Sequence, residues 1–293
     1  MRASYIAALC MATIGIVIAI LGALFAAGVI RLPPSTPPSR ILLLVMFSAG
    51  FEDMVAVTRR YYHTLPDVDV VYYTYQPGQS KAVLQQGDVL SFQGQDSFIP
   101  GCLKKTMLAL AHFAPVLHRY QYILRANVST IVDVPRLRYA LSTATATVHY
   151  GAARTYDLYA GYRDPAMGIV DDRFLGLTYG AGLCLIMSPR SVRALLQADA
   201  RGSLDYSAVD DVAIGAVLVP LSACSNFHPR LWVVPDFQGN DTALSTHVRN
   251  NLDSVLFYRN KHPDRRLDVH QMRVIVNALI FDASLADVRR GQR

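Results

Sequence analysis

Short apolar runs of strand length alternate with stretches of helical spacing, and this alternation constrains the fold more than any other feature of the sequence. ILLLVMF (residues 41–47) is continuous and apolar. A helical stretch follows at 52–62, then VDVVYYTY (68–75), whose β-branched and aromatic residues suit a pleated surface. DVLSF (88–92) reads as a shorter strand, CLKKTMLALAHFAPVL (102–117) as a helix, and YILRANVST (122–130) as a buried strand running into polar residues. The order strand, helix, strand, strand, helix, strand predicts an α/β fold with a mostly parallel sheet flanked by helices. Ligands of such sheets sit beyond the carboxyl ends of the strands, which places residues 125–129 at the ligand-bearing edge.

The second half repeats the pattern more loosely. VPRLRYAL (134–141) is a short helix, TVHYGAA (147–153) a strand and YGAGLCLIMS (179–188) a glycine-led strand. Ser188 caps the next helix, with Pro189 at its first position. SAVDDVAIGAVL (207–218) is a further helix with Asp210 and Asp211 in its first turn.

The amino-terminal region has a different character. No charged residue occurs between positions 6 and 30, and a helix of that length reaches roughly 37 Å, enough to cross a ~30 Å hydrocarbon layer. The run exceeds the ~7 to 15 residues of a signal-peptide core, which favours an uncleaved anchor. RLPPSTPPSR (31–40) is proline-rich and reads as an extended stem. The expected organisation is a transmembrane signal-anchor at 1–30, a stem at 31–40 and one globular domain at 41–293. Arg2 precedes the apolar segment and Arg31 and Arg40 follow it, so flanking charge leaves orientation open.

The net charge of +6 comes without a dense basic tract: Arg265 and Arg266, with Lys261 and His262 nearby, are interrupted by Asp264 and Asp268. A solvated surface follows, not a nucleic-acid site. The four cysteines, Cys10, Cys102, Cys184 and Cys224, lack CxxC or histidine spacing, which argues against zinc and leaves any disulfide pairing open.

Several residue types carry both a bland reading and a chemical one. Asp210 and Asp211 complement the exposed N–H groups of a helix start. Gly180 and Gly182 let a strand pass close to another backbone, and Lys104 is a solvated helix residue. Asp67-Val68-Asp69 has dicarboxylate spacing but precedes its apolar run, away from the ligand-bearing edge.

Their order along the chain adds to this. GDVLSFQGQDSFIPGCLKKTMLAL, YILRANVSTIVDVPRLRYAL, YGAGLCLIMS and DDVAIG together resemble the lumenal domain of β-1,3-galactosyltransferase-like and fringe-like glycosyltransferases, over about residues 41 to 218. The resemblance implies a GT-A (Rossmann-like) fold preceded by one N-terminal transmembrane helix, in a single-pass type II protein of the Golgi or another secretory-pathway membrane. It implies sugar transfer with inversion from a nucleotide-sugar donor, a UDP-sugar, to a glycan or glycoprotein acceptor.

Position by position, Asp88 and Asp96-Ser97-Phe98 are similar to the family's acidic-aromatic stretch, and Lys104 falls on a basic residue of the following helix. Arg125 and Ala126 stand for the family's Lys-Thr pair, and Asn127, Val128 and Ser129 for three acids. The stretch from Gly180 resembles the glycine-rich strand beside the acceptor pocket. Asp210-Asp211-Val212 with Gly215 resembles a helix start whose second acid is the general base. Asp211 is therefore the expected catalytic residue. Arg125, Asn127, Ser129, Lys104 and Asp96 are expected at the nucleotide sugar, and Gly180, Gly182, Asp210 and His228 at the acceptor.

Inverting transfer needs a carboxylate to take the acceptor proton and positive charge for the departing diphosphate. Hard cations favour carboxylate and water ligands, so an amide and a hydroxyl at 127 and 129 leave Mn²⁺ weakly supported and no metal ligand assigned. Arg125, Lys104 or a C-terminal cation such as Arg249 or Lys261 then takes the phosphate oxygens, and transfer is expected to be metal-independent or weakly metal-assisted. The basic stretch 247–276 reads as a helix that closes over a phosphate, or as ordinary surface. Asn127-Val128-Ser129 and Asn240-Asp241-Thr242 are also N-glycosylation tripeptides, of which Asn240 is the better placed. The absent acids equally suit an inactive relative that binds a sugar nucleotide or glycan or serves as a partner subunit. A dinucleotide-binding protein is disfavoured by the lack of GxGxxG after the first strand.

Overall fold

The computed structural model describes residues 40–144, 147–156, 158–166, 168–220, 230–234, 240–262 and 264–291. The apolar segment at 6–30, the stem up to residue 39, His228, Cys10 and Cys224 lie outside the described residues. No described helix is long and apolar enough to cross a membrane.

In chain order the elements are β1 Arg40–Met46, α1 Glu52–Tyr62, β2 Val68–Gln76, β3 Val83–Gln86, β4 Val89–Gln93, α2 Gly101–Phe113, β5 Tyr120–Asn127, β6 Thr130–Val132 and α3 Val134–Ser142. Short strands follow: β7 Tyr150–Ala152, β8 Thr155–Tyr156, β9 Tyr162–Asp164, β10 Ile169–Asp171, β11 Tyr179–Gly180 and β12 Cys184–Met187. The chain continues through α4 Pro189–Ala200, α5 Asp210–Leu218, β13 Arg230–Val234, α6 Asp241–Asn250, β14 Val255–Asn260 and α7 Arg265–Gly291.

The main sheet has seven strands in the order β3-β4-β2-β1-β5-β12-β7. β4, β2, β1 and β5 are mutually parallel. β12 is antiparallel to both β5 and β7, so β7 runs with the parallel set and only β3 and β12 oppose it. The expected mostly parallel sheet flanked by helices is present. Its central strand β1 is apolar on both faces because both faces are covered. Ile41, Leu43 and Val45 pack with α1 and α7, while Leu42 and Leu44 pack with α2, α4 and α5.

Local signals set several boundaries. Ser188 Oγ accepts from the Ser191 N–H with Pro189 at the first helical position, Asn240 caps α6 through the Ala243 N–H, and Asp133 caps α3 through the Arg136 N–H. Asp69 lies at the amino end of the strands, bound to Arg40 and to the Tyr120 hydroxyl.

Two readings of the sequence are corrected. Residues 179–188 are not one strand: β11 pairs with β8 and β12 joins the main sheet. Residues 181–183 separate them, because Gly182 turns its carbonyl to Arg125 and its N–H to Asp211. The basic stretch 247–276 is not one helix either, but the end of α6, strand β14 and the start of α7. β14 pairs antiparallel to β6 and parallel to β13, forming a second sheet that adjoins the end of β5.

Gly215 lets α5 lie directly on β11. A Cβ there would stand 2.7 Å from Tyr179 Cβ and 3.3 Å from its Cα, and backbone cannot swing aside. The overlap costs about 1–3 kcal/mol, more than the ~1 kcal/mol that alanine gains over glycine inside a helix. Gly215→Ala is therefore expected to lower the urea midpoint, where the same change at an unpacked helical glycine would raise it.

Candidate active site

The carboxyl ends of β1 and β5 meet the start of α5 through one buried cluster. Arg125, on β5, is 1% exposed. Its guanidinium donates to Asp210 Oδ2 and to the Gly182 carbonyl, and one nitrogen lies 3.4 Å from Met46 Sδ at the end of β1. Burial alone would push this guanidinium down, but Asp210 more than offsets it and holds Arg125 charged. Gly182 binds both acidic-helix partners. Its carbonyl accepts from Arg125 and its N–H donates to Asp211 Oδ2 at 2.8 Å. A Cβ on residue 182 would lie 3.0 Å from Arg125 Nη1 and 3.3 Å from Asp211 Cβ, so glycine permits this close approach.

The helix-dipole account of Asp210 and Asp211 is thus incomplete, because both side chains have specific partners drawn from other elements. Burial, and then the neighbouring Asp210 charge, raise the Asp211 carboxyl to about 6, against the opposing pull of the Gly182 N–H, Arg125 and the adjacent Val212 N–H. Its second oxygen, Oδ1, is buried with no hydrogen-bond partner among the described residues, as are Arg125 Nε and Asn127 Oδ1. Unpaired buried polar atoms are uncommon in native proteins and need an explanation, such as a bound group or a catalytic role.

Asn127 is held by backbone bonds, its N–H to the Leu183 carbonyl, with Val128 bonded to Met46. Ser129 is buried, and its hydroxyl accepts from Arg259 of β14. Arg259 also donates to Thr130 Oγ1 at 3.2 Å. At the positions where the resembled family holds acids, this chain therefore brings an amide, a hydroxyl and a guanidinium. Arg259 is missed by sequence reasoning, which names Arg249 and Lys261 instead. Arg249 bonds Ser245 within α6 and lies 5.8 Å from the Phe281 ring, and Lys261 is exposed.

Lys104 is exposed and lies 5.9 Å from the Tyr206 ring. The inward lysine is its neighbour Lys105, 1% exposed, with Nζ at 2.8 Å from the Phe47 carbonyl and paired to Asp96. Cys102 joins the two groups: burial raises its thiol to about 11, and Asp210, Arg125, Lys105 and Asp96 all act on it. Cys102 and Cys184 are free thiols. Gly180 is buried, with its N–H on the Tyr150 hydroxyl at 3.0 Å. A Cβ there would stand 2.6 Å from Ala152 Cβ, which makes Gly180 a packing residue. A hollow of about 740 Å³ between the start of α2 and the approach to α5 is lined by Ile99, Pro100, Leu204 and Tyr206. A second, of about 540 Å³, lies at the opposite end of the strands around Asp69, Asp88 and Tyr120.

Among the described residues no three His, Cys, Asp or Glu side chains are grouped to hold a metal ion. The donor set at 127 and 129 does not fit the Mn²⁺ that the resemblance implies, since it offers no carboxylate and Ser129 already binds a cation.

No family model and no curated protein matches the sequence. Solved structures similar to this chain include a galactosyltransferase, LgtC, in complex with donor and acceptor sugar analogues. It is 12% identical, over 81% of this chain and 95% of that one, with a TM-score of 0.42. Another is a glycosyltransferase involved in glycosylation of the major capsid of PBCV-1, 8% identical over 80% of this chain and 98% of that one, with a TM-score of 0.43. At that level of likeness nothing about substrate or reaction transfers, and the chemistry rests on the site.

Proposed function

We propose that this chain is a membrane-anchored, inverting glycosyltransferase that moves a sugar from a UDP-sugar to a hydroxyl of a glycan or glycoprotein without a divalent cation. The uncharged segment 6–30 supports a single membrane anchor, and the family resemblance alone supports type II orientation in a Golgi or other secretory-pathway membrane. One observation carries the catalytic reading. Asp211 is a carboxylate raised to about 6, oriented through one oxygen by Gly182 and unpartnered at the other, at the carboxyl edge of a parallel sheet.

Such a group is tuned for proton transfer near neutral pH. The acceptor hydroxyl gives its proton to Asp211 Oδ1 as its oxygen attacks the anomeric carbon, and the bond to the diphosphate breaks with its electron pair leaving on UDP. Arg125 is a positioning residue in this scheme: it anchors Asp210 and the Gly182 peptide, which in turn fixes Asp211.

The test is UDP-sugar hydrolysis and transfer by the purified full chain, with EDTA or with Mn²⁺, across about pH 5 to 8. Transfer is expected to survive EDTA and to rise with pH to a plateau, half-maximal near the Asp211 value of about 6. Below that value the base is protonated and cannot accept. A flat acid limb would remove Asp211 as base. The loss of every acid at 127–129 also favours a second reading, a non-catalytic sugar-nucleotide or glycan binder. Saturable UDP binding with no turnover at any pH or metal concentration would establish it.

A further inference from the structure

Arg259 is a half-buried cation with no carboxylate bonded to it among the described residues. Its Nε is buried and unpartnered. Its Nη1 rests on two neutral hydroxyls, Ser129 and Thr130, the second and third residues past the ligand-bearing end of β5. Asp268 attracts it from outside bonding distance but is engaged with other groups, and the neighbouring arginines repel. Asp268 is bonded to Arg265 at 2.8 Å and to the His262 N–H, and Arg125 is paired with Asp210. Burial, followed by repulsion from Arg265, pulls Arg259 down to about 10, against a partial attraction from Asp268 and with Arg125 adding to the repulsion. Arg265 lies 5.5 Å from the ring of Phe51, in the turn that links β1 to α1. A second cation therefore borders the same edge.

An uncompensated, partly buried guanidinium is costly unless it meets an anion. Arginine is suited to that meeting because its planar fork matches two phosphate oxygens at once. We infer that Arg259, with the Ser129 and Thr130 hydroxyls, is the anion site that receives the diphosphate of a nucleoside-diphosphate donor in place of a divalent cation. This rests on the transferase reading for the identity of the donor, but the anion site stands on its own geometry. Ser129, neutral where the resembled family holds an acid, then orients a guanidinium instead of coordinating a metal.

The full chain in detergent micelles with EDTA is titrated calorimetrically with UDP, uridine and inorganic pyrophosphate. UDP is expected to bind, pyrophosphate to compete with it, and Arg259→Gln to weaken UDP by roughly 10- to 100-fold while leaving uridine unchanged. Arg259→Lys keeps the charge without the fork and is expected to recover part of the loss. Because the charge is unpaired, Arg259→Gln should melt no lower than the parent chain; a variant that fails to fold assigns the guanidinium a structural role and overturns the proposal. So does unchanged UDP affinity in Arg259→Gln, or UDP binding that requires Mn²⁺. Metal-free UDP binding without sugar transfer would sink the transferase reading and leave this site standing, whereas Mn²⁺-dependent binding with transfer would overturn this site and metal independence and leave sugar transfer itself standing.

Discussion

Asp211→Asn is expected to lower sugar transfer by roughly 10²- to 10⁴-fold, the usual contribution of a positioned general base, while UDP affinity stays within about twofold. The amide keeps the size of the side chain and an oxygen for the Gly182 N–H, so the orienting contact at 2.8 Å can persist. It cannot take a proton from the acceptor. Stability should move the other way. The folded chain holds the Asp211 proton more tightly than the unfolded chain, at about 6 against 3.8. Ionised Asp211 therefore opposes folding above about pH 6, and that opposition fades as pH falls toward 3.8. Asp211→Asn is accordingly expected to raise the melting temperature at pH 8 and to lose that advantage near pH 4. A variant both less active and less stable at pH 8 would make Asp211 a structural residue.

Arg125→Met should destabilise the fold by about 3–5 kcal/mol, because it strands Asp210 as a buried charge without its partner. The pair is nearly inaccessible, with side chains 1% and 9% exposed. Removing both charges is a different matter, since apolar side chains of similar volume often replace a buried ion pair at little cost. Arg125→Met with Asp210→Leu is thus expected to recover most of the lost stability, read as a large coupling in a double-mutant cycle from urea unfolding. Catalysis separates the two chains as well. Arg125 holds the Asp211 carboxyl down and Asp210 pushes it up, so the single variant should shift the acid limb of the rate profile upward and the double variant should shift it less. Additive single losses would show that the two side chains do not act as a unit.

The alternation of apolar strands and helices was readable because each of β1, β2 and β5 carries its own signal in consecutive residues. The acidic start of α5 was readable for the same reason, and Arg125 with Asp210 and Asp211 does come together there. Contacts made across long stretches of chain were not readable. Arg259 meets Ser129 from 130 positions away, on a short strand embedded in a stretch whose charge suggested a helix. Lys104 and Lys105 show a finer limit: neighbours on a helix point about 100° apart, so a match to a basic residue in that helix does not decide which one turns inward. The break between β11 and β12 was hidden because the partners that turn the Gly182 peptide, Arg125 and Asp211, lie outside residues 179–188.

The most direct measurement is a crystal structure of the chain with UDP in the presence of EDTA. The account predicts both phosphates against the Arg259 guanidinium and the Ser129 hydroxyl, no metal density, and the β-phosphate oxygen directed toward the space beside Asp211 Oδ1. UDP seated away from Arg259, or a cation bridging its phosphates to Asn127 and Ser129 even after chelation, would contradict it.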